Sequence, residues 1–391
     1  MAEREYDVVV FGATGFTGQL TAEYLARSAI GETRGALAGR NLEKLEAVRR
    51  RLAEINIACA KLPLLQADVN DPESLRTVAE STKVVITTVG PYIHYGEPLV
   101  KACAEAGTDY VDLTGEPEFV DLMWLRYHAV AEASGARLVH SCGFDSIPYD
   151  LGTLFTVDHL PEGEPLTVNC YVRIGAKFSG GTYHSAINAM ARLRHAARNA
   201  SERKRLEPRP NGRRVRGVAG RPHRSAEAGG WIVPFPSIDP QTVLRSARAL
   251  DRYGPEFTYG HYLVFKRALT VAALAGGAGA GIALAQLPPA RDLMLKFKDP
   301  GEGPSHEERE RAWFNVKLVG EGGGRRVVTE VSGGDPGYGE TSKMLAESAL
   351  CLAHDDLPST SGQVTPAVAM GQPLIDRLVA AGINFRVVEE S

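Results

Sequence analysis

Residues 6–18 read YDVVVFGATGFTG, and the chain changes character in the middle of that stretch. Tyr6 to Phe11 is a short β-branched apolar run that stops at Gly12, and a helical pattern begins near Phe16 and continues to about Ser28. That is a strand, a tight turn and a helix. Gly12, Gly15 and Gly18 are spaced so that the chain bends sharply, a pyrophosphate reaches backbone N–H groups, and the helix packs closely on the sheet. The helix N-terminus faces such a phosphate with unpaired donors and a partial positive charge. A glycine pattern alone carries little weight. Its place at the first strand-to-helix junction strengthens it, as does the second strand, ALAGR (36–40), at the expected distance. Where an NAD-preferring site has Asp or Glu, this strand ends on Gly39 and Arg40, and a cation there suits the extra phosphate of NADP. An exposed arginine beside a helix start, with no ligand, is the plainer alternative.

The alternation continues outward from this unit. Leu42 to Ile55 reads as helix, Leu62 to Asp68 as strand, and Asp71 with Pro72 as an N-cap followed by proline at the first helical position. Next come VVITTVG (84–90), a helix from about Glu97 to Ala106, DYVDLTG (109–115), a helix to about Ser134, and RLVHSCG (137–143). Six strands separated by helices predict an α/β fold, a Rossmann-type doubly wound parallel sheet over residues 1–150. The residues expected to bind the dinucleotide are Gly12, Ala13, Thr14, Gly15, Phe16, Gly18, Gly39, Arg40, Asp68, Thr88, Gly90 and Pro91. Ligands of such sheets sit beyond the carboxyl ends of the strands. The loops TVGPYIHYG, DLTGE and SCGFDSIP leave those ends. They bring Tyr92, His94, Tyr95, Asp112, Thr114, Glu116, Cys142, Asp145 and Ser146 within reach of a nicotinamide.

Composition sets the outer bounds. A chain of 391 residues suggests two or three domains, and 44% apolar with 23% charged residues is ordinary for a globular protein. The formal charge of −3 gives no global pull toward nucleic acid, and no nucleic-acid partner is expected. Cys59, Cys103, Cys142, Cys170 and Cys351 are odd in number, widely spaced and without a CxxC pair, which argues against a disulfide framework and against a zinc site. No metal is expected. A reducing compartment fits, and the opening MAEREYDVVVF carries charge where a secretory signal has its apolar core, so a cytoplasmic location is expected. Ala268 to Ala290 is uncharged and long enough to span a bilayer, with Lys266, Arg267 and Arg291 at its flanks. Because it is mostly Ala and Gly, a buried, tightly packed helix is the preferred reading and membrane association the alternative.

The stretches GATGFTG (12–18), ALAGRN (36–41), TTVGPYIHYGEPLVKACAEAGTDYVDLTGE (87–116) and CGFDSIPYDLG (142–152) resemble the saccharopine dehydrogenase-like family of NADP-binding oxidoreductases. Within it the chain is most similar to trans-acting enoyl reductases of the mycobacterial type, a likeness that also takes in TPAVAMG (365–371) and is thin between Pro161 and Arg311. The resemblance implies a two-domain reductase using NADP (NADPH). Related members reduce a double bond in polyketide-derived lipid intermediates made by a separate synthase. It further implies a small-molecule or carrier-bound acyl substrate, with an acyl carrier or polyketide synthase as partner. It carries over no catalytic residue. Peripheral membrane contact and a homodimer are left open.

Beyond Asp150 the rhythm changes. LTVNCYVRI (166–174) reads as a strand, Tyr183 to Ala197 as a helix entered through FSGGT, and Phe314 to Ser332 as a hairpin turning at Glu321 to Gly324. These predict a second, α+β domain over 151–340, followed by a segment, 341–391, that returns to the nucleotide domain. Between Arg192 and Arg224 there are 12 Lys or Arg against Glu202 and Glu207. A solvated, partly disordered insertion is expected there, with a docking surface for an acidic carrier domain or anionic lipid as the alternative.

Enoyl reduction needs a hydride at the β-carbon, a donor to the developing enolate oxygen, and an acid for the α-carbon. Tyr92, Tyr95 and Asp145 are the catalytic candidates. Each has a structural alternative: a tyrosine after Gly-Pro closes a turn over the cofactor, and Asp145 caps the helix beginning near Pro148. Tyr183 and His184 are weaker candidates. Reduction of an imine formed from an amino acid is a competing activity, but its several carboxylates call for convergent Arg or Lys, and the three loops have none. A lipid-associated NADP-binding protein without catalysis is the third reading.

Overall fold

In a computed structural model that describes residues 4–391 apart from 30, 32, 177–186, 188–189, 209, 219 and 297–303, the first half closes into one parallel sheet. Its strands are β1 (Tyr6–Phe11), β2 (Gly35–Gly39), β3 (Leu64–Gln66), β4 (Thr82–Thr87), β5 (Asp109–Val111) and β6 (Arg137–Val139), joined by β14 (Gly362–Val364) from near the C-terminus. The order is β14-β6-β5-β4-β1-β2-β3, every pair parallel. The expected doubly wound sheet is therefore present, with a seventh strand. β1 is buried along its whole length, which is why Val8 to Phe11 form a continuous apolar run and not an alternating one. It lies between β2 and β4, where the connections diverge to the two sides, so the loop after β1 opens into the crevice at the switch point.

The second sheet runs β15-β13-β12-β7-β11-β10-β9, with β8 also paired to β11. Its strands are β7 (Leu166–Gly175), β8 (Arg214–Gly217), β9 (His223–Ser225), β10 (Gly230–Pro234), β11 (Glu256–Phe265), β12 (Trp313–Gly322), β13 (Arg325–Gly333) and β15 (Asn384–Glu390). Helix Ile147–Asp158 joins the two halves: the Thr156 and Thr329 hydroxyls lie 2.6 Å apart, and a Cβ at Gly152 would come within 2.9 Å of Val331. One apolar core runs from Val10 and Ile86 through Ile147 and Leu151 to Val316 and Val331. Helix Gly339–His354 buries Met344, Leu345 and Cys351 and receives the Tyr24 hydroxyl on Glu347 at 2.6 Å. All five cysteines are buried and free.

Two expectations change. The basic stretch is largely solvated, as expected, but it carries regular structure: helix Leu193–Leu206 lies against helix Pro117–Ser134, with Arg192 on Glu118 at 2.7 Å and the buried Arg203 on Asp121 at 3.3 Å and on Glu207 at 2.9 Å. Counting cations could not reveal that their partners sit on a helix some 80 residues earlier in the chain. Most of the first half of the helix expected over Tyr183–Ala197, with Tyr183 and His184, lies outside the described residues; Ile187, Met190 and Ala191 are helical, and helix Leu193–Leu206 follows. The uncharged segment is mostly exposed: among its described side chains only Val271 and Ala285 are buried. Helices Ala268–Ala285 and Pro288–Leu295 leave Leu269 79%, Leu284 46%, Leu287 57% and Leu293 60% exposed. Helices Ile147–Asp158 and Asp239–Ala249 already occupy the core face of the second sheet, so the segment stands outside it. No described helix is long and apolar enough to cross a membrane.

Candidate functional site

The loop after β1 is shaped by contacts that only glycine allows. Gly12 has φ +88°, and a Cβ there would lie 2.7 Å from Val89; one at Gly18 would lie 2.2 Å from the Gly12 carbonyl. That carbonyl accepts from Gly15 N at 3.0 Å and from the Thr88 hydroxyl at 3.2 Å, tying the loop to the end of β4. The loop's outer side is open: a Cβ at Gly15 would meet nothing nearer than 3.4 Å. Helix Phe16–Ser28 has no acidic residue in its first turn and no side-chain cap, leaving its amides for an anion. This cradle fits a dinucleotide pyrophosphate. Ala13 is buried beneath it, while Thr14 and Phe16 are half-buried at its rim. At the end of β2, Gly39 is buried and Arg40 exposed, its guanidinium without a hydrogen bond or ion pair among the described residues. Asp68 lies one strand further on and holds Asn70 N at 2.9 Å. Gly90 and Pro91, joined by a cis peptide, lead into the turn Tyr92–Tyr95.

The two tyrosines of that turn differ. Tyr92 is buried, its hydroxyl donating to the Thr87 carbonyl at 3.1 Å and accepting from Leu113 N at 3.2 Å. Burial first, then the charge of Asp112, pushes that phenol well above its ordinary value. Its two hydrogen-bonding roles are spent on the backbone, so donating to a substrate would mean surrendering one of them. Tyr95 is 46% exposed, and its hydroxyl has no partner among the described residues. Glu116 holds the turn, accepting from Tyr92 N at 3.1 Å and Ile93 N at 2.9 Å. Asp112, fully buried, accepts from Tyr110 Oη at 2.9 Å, Thr114 N at 3.0 Å and Ser141 N at 2.8 Å, with His140 Nδ1 at 2.7 Å. It clasps the ends of β5 and β6 and keeps Ser141 at φ +62°, a conformation a non-glycine residue seldom adopts.

Beyond Ser141 the chain presents Asp145. Ser146 takes the cap position of the next helix, and the helix start receives no side-chain cap, so Asp145 does not cap it. Asp145 is exposed yet closely surrounded at the cleft: a Cβ at Gly115 would approach its Oδ2 to 3.0 Å. Enclosure, then the charge of Asp239, pushes the Asp145 carboxyl up to about 7. Asp239 opens helix Asp239–Ala249, accepts from the Ser237 hydroxyl at 2.6 Å and faces His261 Nε2 at 3.5 Å. His261 lies on β11, its Nδ1 3.1 Å from the Tyr259 hydroxyl and its ring edge-on to Tyr149. Asp239 and His261 are 3% and 5% exposed, and Asp239 Oδ1 has no hydrogen-bond partner. Burial pushes the imidazolium down, but Cys170 and Asp239 raise it by more, leaving it above its ordinary value. Asp145 thus feels the charge of Asp239, which a helix of the second half supplies and His261 of β11 faces.

The structure brings the twelve expected cofactor residues to one edge of the parallel sheet, with Asp145 and the Tyr92 turn on neighbouring strand ends. Asp239 and His261 were not legible as site residues. Their signals are slight: an Asp-Pro helix start, and one imidazole in the aromatic strand EFTYGHYLVF, where alternation turns it to the same buried face as Phe257 and Tyr259.

Residues 8–139 match the saccharopine dehydrogenase NADP-binding domain, and NADP(H) is the cofactor this implies. The chain is 36% identical, over 98% of its length and 97% of the relative's, to a trans-acting enoyl reductase of Mycobacterium ulcerans. It is 37% identical over the same shares to one of Mycobacterium bovis. A Mycobacterium tuberculosis relative provisionally given the same name is 39% identical, again over 98% of this chain and 97% of its own. In fold it is similar to apo saccharopine dehydrogenase (L-Glu forming) from Saccharomyces cerevisiae, with TM-score 0.56 at 14% identity over 98% of this chain and 100% of that one. With the glycine cradle, the cation ending β2 and full-length likeness in agreement, this chain belongs to the trans-acting enoyl reductase family and carries the NADP-binding domain of the saccharopine dehydrogenases.

Proposed function

We propose that the protein is an NADPH-dependent reductase that saturates a C=C bond in a carrier-bound lipid or polyketide intermediate. The observation that carries this reading is the open Gly12–Gly18 cradle with the exposed Asp145 on a neighbouring strand end, a carboxyl raised toward neutrality on the side where a bound dinucleotide would lie. The cofactor, when bound, supplies the hydride for the β-carbon. Asp145 delivers the proton to the α-carbon. Tyr95, the phenol of the pair with an uncommitted hydroxyl, donates to the enolate oxygen, while Tyr92 positions the turn that presents it. The Asp239–His261 pair keeps Asp145 protonated before the reaction, and the imidazolium offsets the second negative charge afterwards. The likeness to trans-acting enoyl reductases supports an enoyl substrate acted on in trans. An imino acid would need cations in the cleft loops, and the loops at 88–96, 112–116 and 141–148 contain neither Arg nor Lys. The exposed apolar helix pair at 268–295, with Lys266 and Arg267 at its base, is read as the surface that meets lipid. Following NADPH oxidation with enoyl thioesters, on pantetheine or on an acyl carrier, against imino acids tests the assignment. Turnover with the thioesters alone is expected; turnover with the imino acids alone would overturn it.

A further inference from the structure

Behind the loops that carry Asp145 lies a cavity of about 260 Å³ that shares no residue with the dinucleotide cradle. Three helices, Pro117–Ser134, Leu193–Leu206 and Asp239–Ala249, wall it together with β14 and the end of β6. The nucleotide domain contributes Trp124, His128 and His140, the second domain Arg203 and Arg245, and the C-terminal stretch Gln363. Trp124 presents its edge, because Arg203 lies 4.9 Å over one ring contact and His128 stacks with it at 5.0 Å.

Two of these side chains are anchored at one end and unpartnered at the other. His140 is 5% exposed and holds Asp112 through Nδ1, yet its buried Nε2 has no partner. Nδ1 being committed to the Asp112 carboxylate, Nε2 is the nitrogen left for a ligand. Gln363 is 9% exposed and donates through Nε2 to the Val120 carbonyl at 3.0 Å, while its buried Oε1 accepts from nothing. Buried acceptors of this kind are rare without a partner. The charges of the wall point to the other half of a ligand. Arg203 and Arg245 share one oxygen of Asp121 and Arg203 also meets Glu207, while the wall's other carboxylate, Glu132, lies against His128 at 3.5 Å. Burial and then Arg245 lower the Arg203 guanidinium to about 10, against the opposing pull of Glu207 and Asp121.

We infer that this cavity is a second ligand site, for a small hydroxycarboxylate whose carboxylate lies on the Arg203–Arg245 pair and whose hydroxyl donates to Gln363 Oε1 or His140 Nε2. Such a ligand bridges both domains. It also touches the cleft from behind, since Ser141 and Thr242 on the cavity wall bond to the Thr114 carbonyl at 2.6 Å and the Ser146 hydroxyl at 3.2 Å. The site is independent of the reductase reading.

The test is titration of the NADP-loaded protein with malate, succinate and inorganic phosphate, followed by calorimetry and by tryptophan fluorescence. Malate should bind saturably with a fluorescence change that Trp124→Phe removes while the heat remains. Succinate, lacking the hydroxyl, should bind about tenfold or more weakly. Gln363→Glu, which keeps the size but adds a repelling charge, and Arg245→Gln should each abolish malate binding while leaving the NADPH Kd and the thermal unfolding midpoint near wild type. Should either variant unfold, the malate-to-succinate ratio of the wild type still decides. No saturable heat, equal binding of all three probes, or unchanged malate binding in both folded variants would overturn the site.

Discussion

Desolvation and then the charge of Asp239 raise the Asp145 carboxyl, and this gives its proposed role a pH signature. Its folded value, raised to about 7, means the acid form prevails below that pH, so turnover should fall as pH rises through it. Asp145→Asn should lower kcat by about 10²–10⁴ with the NADPH Kd unchanged, the range for losing a positioned acid. Asp239→Asn removes the charge that opposes ionisation of Asp145, so the falling limb of the pH profile should move to lower pH. A profile that stays in place would assign Asp239 to structure alone. Tyr92 calls for the opposite outcome. Tyr92→Phe leaves Leu113 N and the Thr87 carbonyl short of a partner in a buried site, so a loss of about 2 kcal/mol in chemical denaturation is expected, with kcat within severalfold of wild type.

At the level of elements, the parallel sheet was legible because its signals are local. Each strand is a short apolar run stopped by a turn residue, and helices 42–55, 97–106 and 16–28 stand where periodicity and capping put them. The hairpin of β12 and β13 was legible for the same reason, through its Gly-rich turn. What escaped depends on distant partners. β14 is three residues of ordinary composition, and only its pairing with β6 makes it a strand; β8 and β9 are charged and exposed. The helix 193–206 reads as a solvated charge run until Asp121 and Glu118 are seen beneath it. The site divided likewise. Its cofactor half is a contiguous motif, whereas Asp145 follows β6, Asp239 opens a helix and His261 sits on β11, positions about 90 and about 20 residues apart in the chain. A clasp at the start of β1 gives this scale its prediction. Asp7 is buried and accepts from Arg34 N at 2.9 Å, while its side chain meets Lys83 at 2.9 Å and Arg34 at 3.1 Å, tying β1 to its neighbours on both sides. Those partners hold its carboxyl well below the usual range despite burial. Asp7→Asn should cost about 2 kcal/mol at pH 7. A depressed folded value contributes stability above the unfolded value of about 4 and loses it as pH falls through the folded one, so the gap between variant and wild type should narrow below about pH 4.

Taken whole, the molecule sets its cofactor cradle, its cleft acid and an exposed apolar helix pair in one chain whose net charge is only −3. With no strong overall charge to drive it, attachment to a lipid surface would rest on Leu269, Leu284, Leu287 and Leu293 with the flanking cations. Flotation with anionic vesicles should carry the wild type upward, and Leu269→Glu with Leu287→Glu should leave the protein in the lower fraction with activity on a soluble thioester intact. Equal flotation of both would remove the lipid reading. The central claim, that a reduced dinucleotide on the Gly12–Gly18 cradle gives its hydride to a carbon–carbon double bond, is met most directly by isotope tracing. The protein is supplied with NADPH deuterated at the transferring position of nicotinamide C4 and with an enoyl thioester in ordinary water. One deuterium on the β-carbon of the saturated product and a solvent hydrogen on the α-carbon is the predicted result; a product without deuterium, or label found only on an amine-bearing carbon when an imino acid is supplied, would contradict it.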